Sequence, residues 1–362
     1  MNRVTLLFCT LFILLPPLAN STNVKPSFGE INNLLETANK VRTSDPRRFS
    51  EIISQLESIS KTLTTEQSNY LNYLNAYRLI YQGDVKQATS KFIAILESND
   101  SSSFIKFKAR ITLVNIMGIK QDWTTGLYHL NILFTELPSI KHQDTRNTGI
   151  GIAAAFYNQL GQYSLALKYA QSPDIKEPES RILCMTQTII FESKLHLGLL
   201  KSSNAKVPNQ SCKDEPIATN FIRSYIAKYY ISNKEFNTAI KLLSPHLSEI
   251  TKTNYPRLIA EVFSSLSEAY WGLNDAHQTE IYALKAIEVG KNIQTTQSVV
   301  LAYELLYQID LQRQKYKSAL KYHEKFSKLD KAHIDETKAK HLAFQLAEHQ
   351  AFEQESQIKL LN

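Results

Sequence analysis

A pattern recurring about every 40 residues constrains this 362-residue chain more than any other feature. Each copy holds an apolar-periodic helix, a short polar or glycine turn, and a second helix with a small residue near its start. In Leu74 to Leu96, LNAYRLIYQGDVKQATSKFIAIL, the first helix ends at Gly83-Asp84. Ala88, Phe92 and Ile95 then follow at the spacing of one helix face. The equivalent small position recurs at Gly126, Ala166, Ala239, Thr279 and Ala319, in steps of 38, 40, 73, 40 and 40 residues. The long step therefore holds one more, irregular unit. Small residues let the two helices of a hairpin approach closely, and aromatics fill the gaps between hairpins. A single hairpin cannot bury its apolar face, so stacking is obligatory.

Composition agrees with helices. Hydrophobic residues make up 43% and charged residues 21%, enough for a core and too apolar for wholesale disorder. Only 10 glycines and 11 prolines interrupt the chain, which disfavours a strand-and-turn architecture. The formal charge of +7 is spread along the sequence with no run of five or six basic residues. Nucleic acid is therefore not expected as a partner.

The order small, turn, small, aromatic in AYRLIYQGDVKQATSKF and AAFYNQLGQYSLALKYA resembles tetratricopeptide repeats. The resemblance covers roughly residues 64–332 and implies an all-α fold, a right-handed superhelical solenoid of helix hairpins. It also implies a concave groove lined by the first helix of each pair. On this chain the groove positions become Tyr70, Tyr73 and Tyr77, then Lys108 and Asn115, then Asn158, then Ser224 and Lys228, then Glu268. Asn115 and Asn158 suit peptide backbone groups, and Lys108 and Lys228 suit a carboxylate. The alternative is a solvated inner face with aromatics in ordinary packing.

The flanks carry other signals. Residues 1–21 read as a secretory signal peptide: Arg3, an apolar run from Val4 to Leu15, Pro16-Pro17, then Ala19-Asn20-Ser21 before a cut at Thr22. Residues 22–63 read as N-terminal capping helices, with one helix over Ile31 to Val41. Cys184 and Cys212 remain after the leader is removed. In an exported chain they read as one disulfide around the loop-like segment KSSNAKVPNQSC, the alternative being two buried thiols. Residues 333–362 read as an extended C-terminal helix. Its Phe344, Ala347, Ala351, Gln354, Ile358 and Leu361 follow 3-4 spacing, suited either to a homodimeric coiled coil through residues 344–361 or to packing on the last repeat.

A narrower resemblance covers nearly the whole chain. The leader, SDPRRFSEIISQLE, TTEQSNYLNYLNAYRLIYQGD, the cysteine pair and the closing EQESQIKLL are similar to the periplasmic sensor region of bacterial diguanylate cyclases. That resemblance implies a periplasmic sensor module of a membrane signalling protein, with ligand or protein bound in the groove. Members carry a transmembrane helix and a cyclase domain after the repeats. This chain has no Gly-Gly-Asp-Glu-Phe motif, so cyclase activity cannot be assigned to its residues, and either the polypeptide continues past Asn362 or that half is missing. The competing reading is a stand-alone periplasmic adaptor for envelope proteins. No phosphate-binding glycine loop, GxSxG, HExxH or CxxC occurs, so neither catalysis, a cofactor nor a metal site is expected.

Overall fold

The computed structural model describes residues 26–42, 44–208, 212, 214–291 and 297–361, with side chains as far as Glu353. The expected leader lies outside them. Every regular element among the described residues is a helix. The chain divides into two compact units, Met1–Leu74 and Asn75–Asn362, whose boundary falls inside a helix.

The N-terminal unit holds α1 (Phe28–Val41), α2 (Pro46–Ser58) and the first part of α3 (Thr65–Tyr81). Helix α1 starts three residues before the expected Ile31. Ser27 and Glu30 form a capping box, in which the Glu30 amide donates to Ser27 Oγ and the Ser27 amide to Glu30 Oε2 at 2.6 Å. Asp45 caps α2 by accepting from the Arg48 amide. Ile31, Leu35, Phe49, Ile52, Ile53 and Leu56 close the core between α1 and α2.

The second unit holds the rest of α3 and then α4 (Val85–Glu97), α5 (Ser103–Lys120), α6 (Trp123–Glu136), α7 (Gln143–Gln159) and α8 (Tyr163–Ala170). It continues with α9 (Ser180–His196), α10 (Pro216–Ser232), α11 (Phe236–Leu243), α12 (Leu247–Lys252) and α13 (Pro256–Gly272). It ends with α14 (Ala276–Gly290), α15 (Gln297–Gln312) and α16 (Tyr316–Leu361).

One device makes six of its helix reversals. A single residue adopts left-handed backbone: Gly83, Gln121, Gly161, Lys234, Asn274 and Gln314, with φ between 59° and 81°. The next amide then bonds back five residues, as from Asp84 to the Leu79 carbonyl and from Asp275 to the Tyr270 carbonyl, both at 3.0 Å. This is the Schellman closure, which satisfies carbonyls left over at a helix end. Asp84, Asp122 and Asp275 then cap the second helix by accepting from the Gln87, Thr125 and Gln278 amides.

The small position lies five residues beyond the left-handed residue in all six cases. Ala88, Gly126, Ala166, Ala239, Thr279 and Ala319 are all buried, as close helix approach requires. At Gly126 a Cβ would come within 2.3 Å of the Phe156 ring. Stacked aromatics join the two helices of a hairpin, as Tyr157 of α7 on Tyr169 of α8 at 5.5 Å and Tyr270 of α13 on Tyr282 of α14 at 5.6 Å between centroids.

The irregular unit is α9. No second helix follows it among the described residues; those between 197 and 215 (197–208, 212, 214 and 215) run as turns and loop instead. Leu200 and Ala205 of this loop are buried against Phe191, Ile222, Tyr225 and Ile226, in place of a helix face. A Cys184–Cys212 disulfide, with a Cα–Cα distance of 5.4 Å, pins the loop to α9.

Helix α16 is one unbroken element of 46 residues that serves first as the second helix of the last hairpin, against α15. It then reaches α6. Ala343 is buried, and Phe344 and Ala347 pack against the cluster of Trp123, Phe156 and Tyr157. Phe344 meets Tyr157 edge-on at 6.3 Å, and Lys340 Nζ lies 5.0 Å from the Trp123 ring centre. Two residues of the expected coiled-coil seam are thus engaged within their own chain. Ala351 is exposed, and the side chains of Gln354, Ile358 and Leu361 lie outside the described residues.

Two outcomes are expected. Cys212→Ser lowers stability by about 3 kcal/mol, as for a crosslink closing a loop of this length, read by urea unfolding. Phe344→Ala raises amide hydrogen exchange in residues 333–353 by about tenfold while residues 316–330 keep their protection, because only the distal contact is lost.

Candidate functional site: the inner helix face

The first helices of successive hairpins pack directly on one another, α5 on α7, α7 on α9, α9 on α10, α10 on α13 and α13 on α15. Such a layer brings side chains from distant sequence positions to one face. On α13, Arg257, Glu261 and Glu268 stand 4 and 7 residues apart, so they share one stripe of the helix.

Lys228 of α10 forms an ion pair with Glu261 Oε1, and Ser298 of α15 donates to Glu261 Oε2 at 2.7 Å. One layer back, Asn158 Nδ2 of α7 donates to Glu192 Oε2 of α9 at 2.6 Å, and Ser193 Oγ donates to Asn158 Oδ1 at 3.2 Å. The buried Tyr225 hydroxyl lies beside Glu192. His196 stacks on Tyr163 at 4.1 Å between ring centres.

The charges are tuned by position. Burial acts most strongly on the Glu261 carboxyl and raises its pKa, yet Lys228, Ser298 and Arg257 together bring it below the usual range. Lys228 is shifted upward despite burial, by Glu261, Glu268 and Glu192. Glu268 differs. Burial pushes its pKa up, Glu261 and Glu304 add to the rise, and Lys228 opposes it. Arg257 is exposed at the residue level; partial desolvation of its guanidinium by the surrounding atoms lowers its pKa, but Tyr225, Glu192 and Glu261 overcome that and raise it. Among the described residues, neither Arg257 nor Glu268 has a hydrogen-bonded or ion-paired side-chain partner. The face therefore combines one ion pair, Lys228–Glu261, with an exposed guanidinium and a half-buried carboxylate that bond to no other side chain.

No protein-family model matches the chain, and no curated protein matches it. Solved structures do. A STAND signal-transduction ATPase with a tetratricopeptide repeat sensor, from Pyrococcus horikoshii, superposes with a TM-score of 0.62 at 13% identity, over 85% of this chain and 48% of its own. The apo quorum sensor NprR from B. thuringiensis gives 0.55 at 13% identity, over 92% and 99%. NprR in complex with its cognate peptide NprX gives 0.53 at 15%, over 91% and 89%. At such identities the likeness is one of fold. The fold is an all-helical solenoid of the tetratricopeptide type.

The residues singled out from sequence are distributed unevenly. Tyr73 belongs to the N-terminal unit and is 1% exposed, packed near Tyr70. Tyr77 is half-buried on α3, next to Tyr81. Lys108 is buried on α5 with its ammonium 5.0 Å from the Phe104 ring centre, and Asn115 is half-buried on the same helix. Asn158 and Lys228 enter the polar network, as does Glu268, whereas Ser224 is fully buried.

Glu192, Tyr225, Arg257, Glu261, Ser298 and Glu304 complete the face and were not anticipated. The 4-7 spacing back from Glu268 was available to find Glu261 and Arg257. Among the described residues no group of three or more His, Cys, Asp or Glu could hold a metal ion, and no helix is long and apolar enough to cross a membrane.

Opposite effects are expected from two isosteric changes on one helix. Glu261 has a lowered pKa, so it contributes stability above the ordinary value of 4.5 that is lost as pH falls through its folded-state value. Glu268 has a raised pKa, so its contribution is complete below 4.5 and is lost as pH rises through its folded-state value. At pH 7, Glu261→Gln lowers unfolding free energy by about 1–3 kcal/mol, because Lys228 loses its charged acceptor. Glu268→Gln raises it. Both differences shrink in urea titrations well below pH 4.5.

Proposed function

We propose that this chain is a peptide-binding repeat module and catalyses nothing itself. The inner face of α9, α10, α13 and α15 is the binding surface. One observation carries this reading: residues of four consecutive first helices converge on a single charged face that retains an unpaired guanidinium and an unpaired carboxylate. In a purely structural network a half-buried carboxylate such as Glu268 would be expected to have a partner. The likeness in fold to NprR bound to the peptide NprX supports the same reading.

The module works in the periplasm, after removal of a leader near Ser21, as the sensor part of a membrane-tethered signalling protein of the diguanylate cyclase type. The sequence of the first 21 residues and the resemblance of the repeats to such sensors support that setting. Intact mass and fractionation from the native host test it. A species starting near Thr22 is expected, and one retaining Met1 in the cytoplasm overturns export.

The binding reading is tested with an equimolar mixture of random heptapeptides passed over the immobilised protein and read by mass spectrometry. A subset is expected to be retained, and Glu304→Arg is expected to release it without lowering the unfolding midpoint. Retention no greater than on an unrelated helical protein overturns the reading.

A further inference from the structure

Arg257 and Glu268 are eleven residues apart on α13. At 3.6 residues per turn that is three turns with a residual offset of about 20°, so both side chains leave the same side of the helix. The rise between them is about 16 Å. An extended peptide advances about 3.3 Å per residue, so about five residues cover that distance.

The chemistry at the two ends is opposite. Arg257 is exposed, and its guanidinium offers a donor fork suited to a carboxylate. Of the carboxylates near it, Glu261 is paired with Lys228 and accepts from Ser298, while Glu192 accepts from Asn158 and keeps its charge. At the other end Glu268 is half-buried with Glu304 of α15 in its field, two carboxylates with no cation of their own beyond the shared influence of Lys228. Between the ends lies the Lys228–Glu261 pair, in which the charges cancel. The face therefore presents a guanidinium donor fork at one end, a cancelled ion pair in the middle and two carboxylates at the other.

We propose that this stripe is a molecular ruler for a short zwitterionic peptide of about five residues, its terminal carboxylate on Arg257 and its terminal ammonium on Glu268. The inference rests on the peptide-binding reading and adds the length, direction and end chemistry of the ligand. The peptide runs antiparallel to α13, since its carboxylate lies at the N-terminal end of that helix. Its middle side chains pass over a neutral network and are read weakly, so end groups and length dominate selection.

The test uses the full chain and random peptide mixtures of three, five, seven and nine residues. Each length is offered with free ends, N-acetylated and C-amidated, and retention is read by mass spectrometry. Free-ended five-residue peptides are expected to be retained best, and either cap is expected to lower retention at least about tenfold, the loss of one charged contact. Arg257→Gln is expected to abolish sensitivity to C-amidation while keeping sensitivity to N-acetylation, and Glu268→Gln the reverse. Arg257→Lys and Glu268→Asp keep the respective preferences.

Equal retention of capped and free peptides by the wild type overturns the ruler while leaving peptide binding intact. Retention that rises steadily with length does the same. No retention of any mixture overturns both. The wild-type comparison is decisive even if a variant fails to fold.

Discussion

A left-handed residue followed five positions later by a small buried one is the constraint on which the second unit depends. The first reverses the chain between two helices and closes their carbonyls. The second lets the returning helix lie close to the outgoing one. Neither suffices alone. A reversal without the small residue would splay the hairpin, and a small residue without the reversal would have nothing to approach. Because the two are locked five residues apart, each hairpin presents its first helix in the same orientation. The first helices can then form one continuous layer, and Glu192, Lys228, Glu261 and Ser298 reach a common face from four separate helices, α9, α10, α13 and α15.

Much of this was legible in the sequence, and the reason is physical. Buried small residues at close crossings cannot be replaced by large ones without overpacking, so they leave a regular trace. That trace gave the hairpins and located the irregular unit between Ala166 and Ala239. The turns were less visible. Gly83 and Gly161 announce themselves, but Gln121, Lys234 and Gln314 do the same work with side chains that ordinarily avoid left-handed backbone, and Asn274 with one that tolerates it. The closure of the helix end compensates at those four positions, and no composition rule reports it.

The face was only half legible. Lys228, Asn158 and Glu268 follow from knowing which helix of each pair faces inward. Glu192 does not, because α9 has no helical partner and the repeat pattern has nothing to align there. The resemblance to tetratricopeptide repeats implied inner-face positions for Tyr73 and Lys108, and both are buried. Spacing identifies the side of a helix from which a residue leaves, whereas accessibility depends on what packs over it. Helix α16 shows the same limit. Its apolar spacing is real, but Phe344 and Ala347 find their partners on α6 and α7, about 200 residues away in sequence, where no local pattern points.

That long-range contact changes how the second unit comes apart. An ordinary repeat array behaves as a one-dimensional chain in which each hairpin feels only its neighbours, so it frays from the ends a unit at a time. Here the last helix is anchored on the second hairpin of the unit. Melting α15 and α16 therefore exposes the Trp123–Tyr157 cluster as well, and loosening α6 releases the distal half of α16. The two extremities become thermodynamic neighbours despite their separation along the chain. Loss of order in this unit is then an all-or-none event rather than a gradual unzipping.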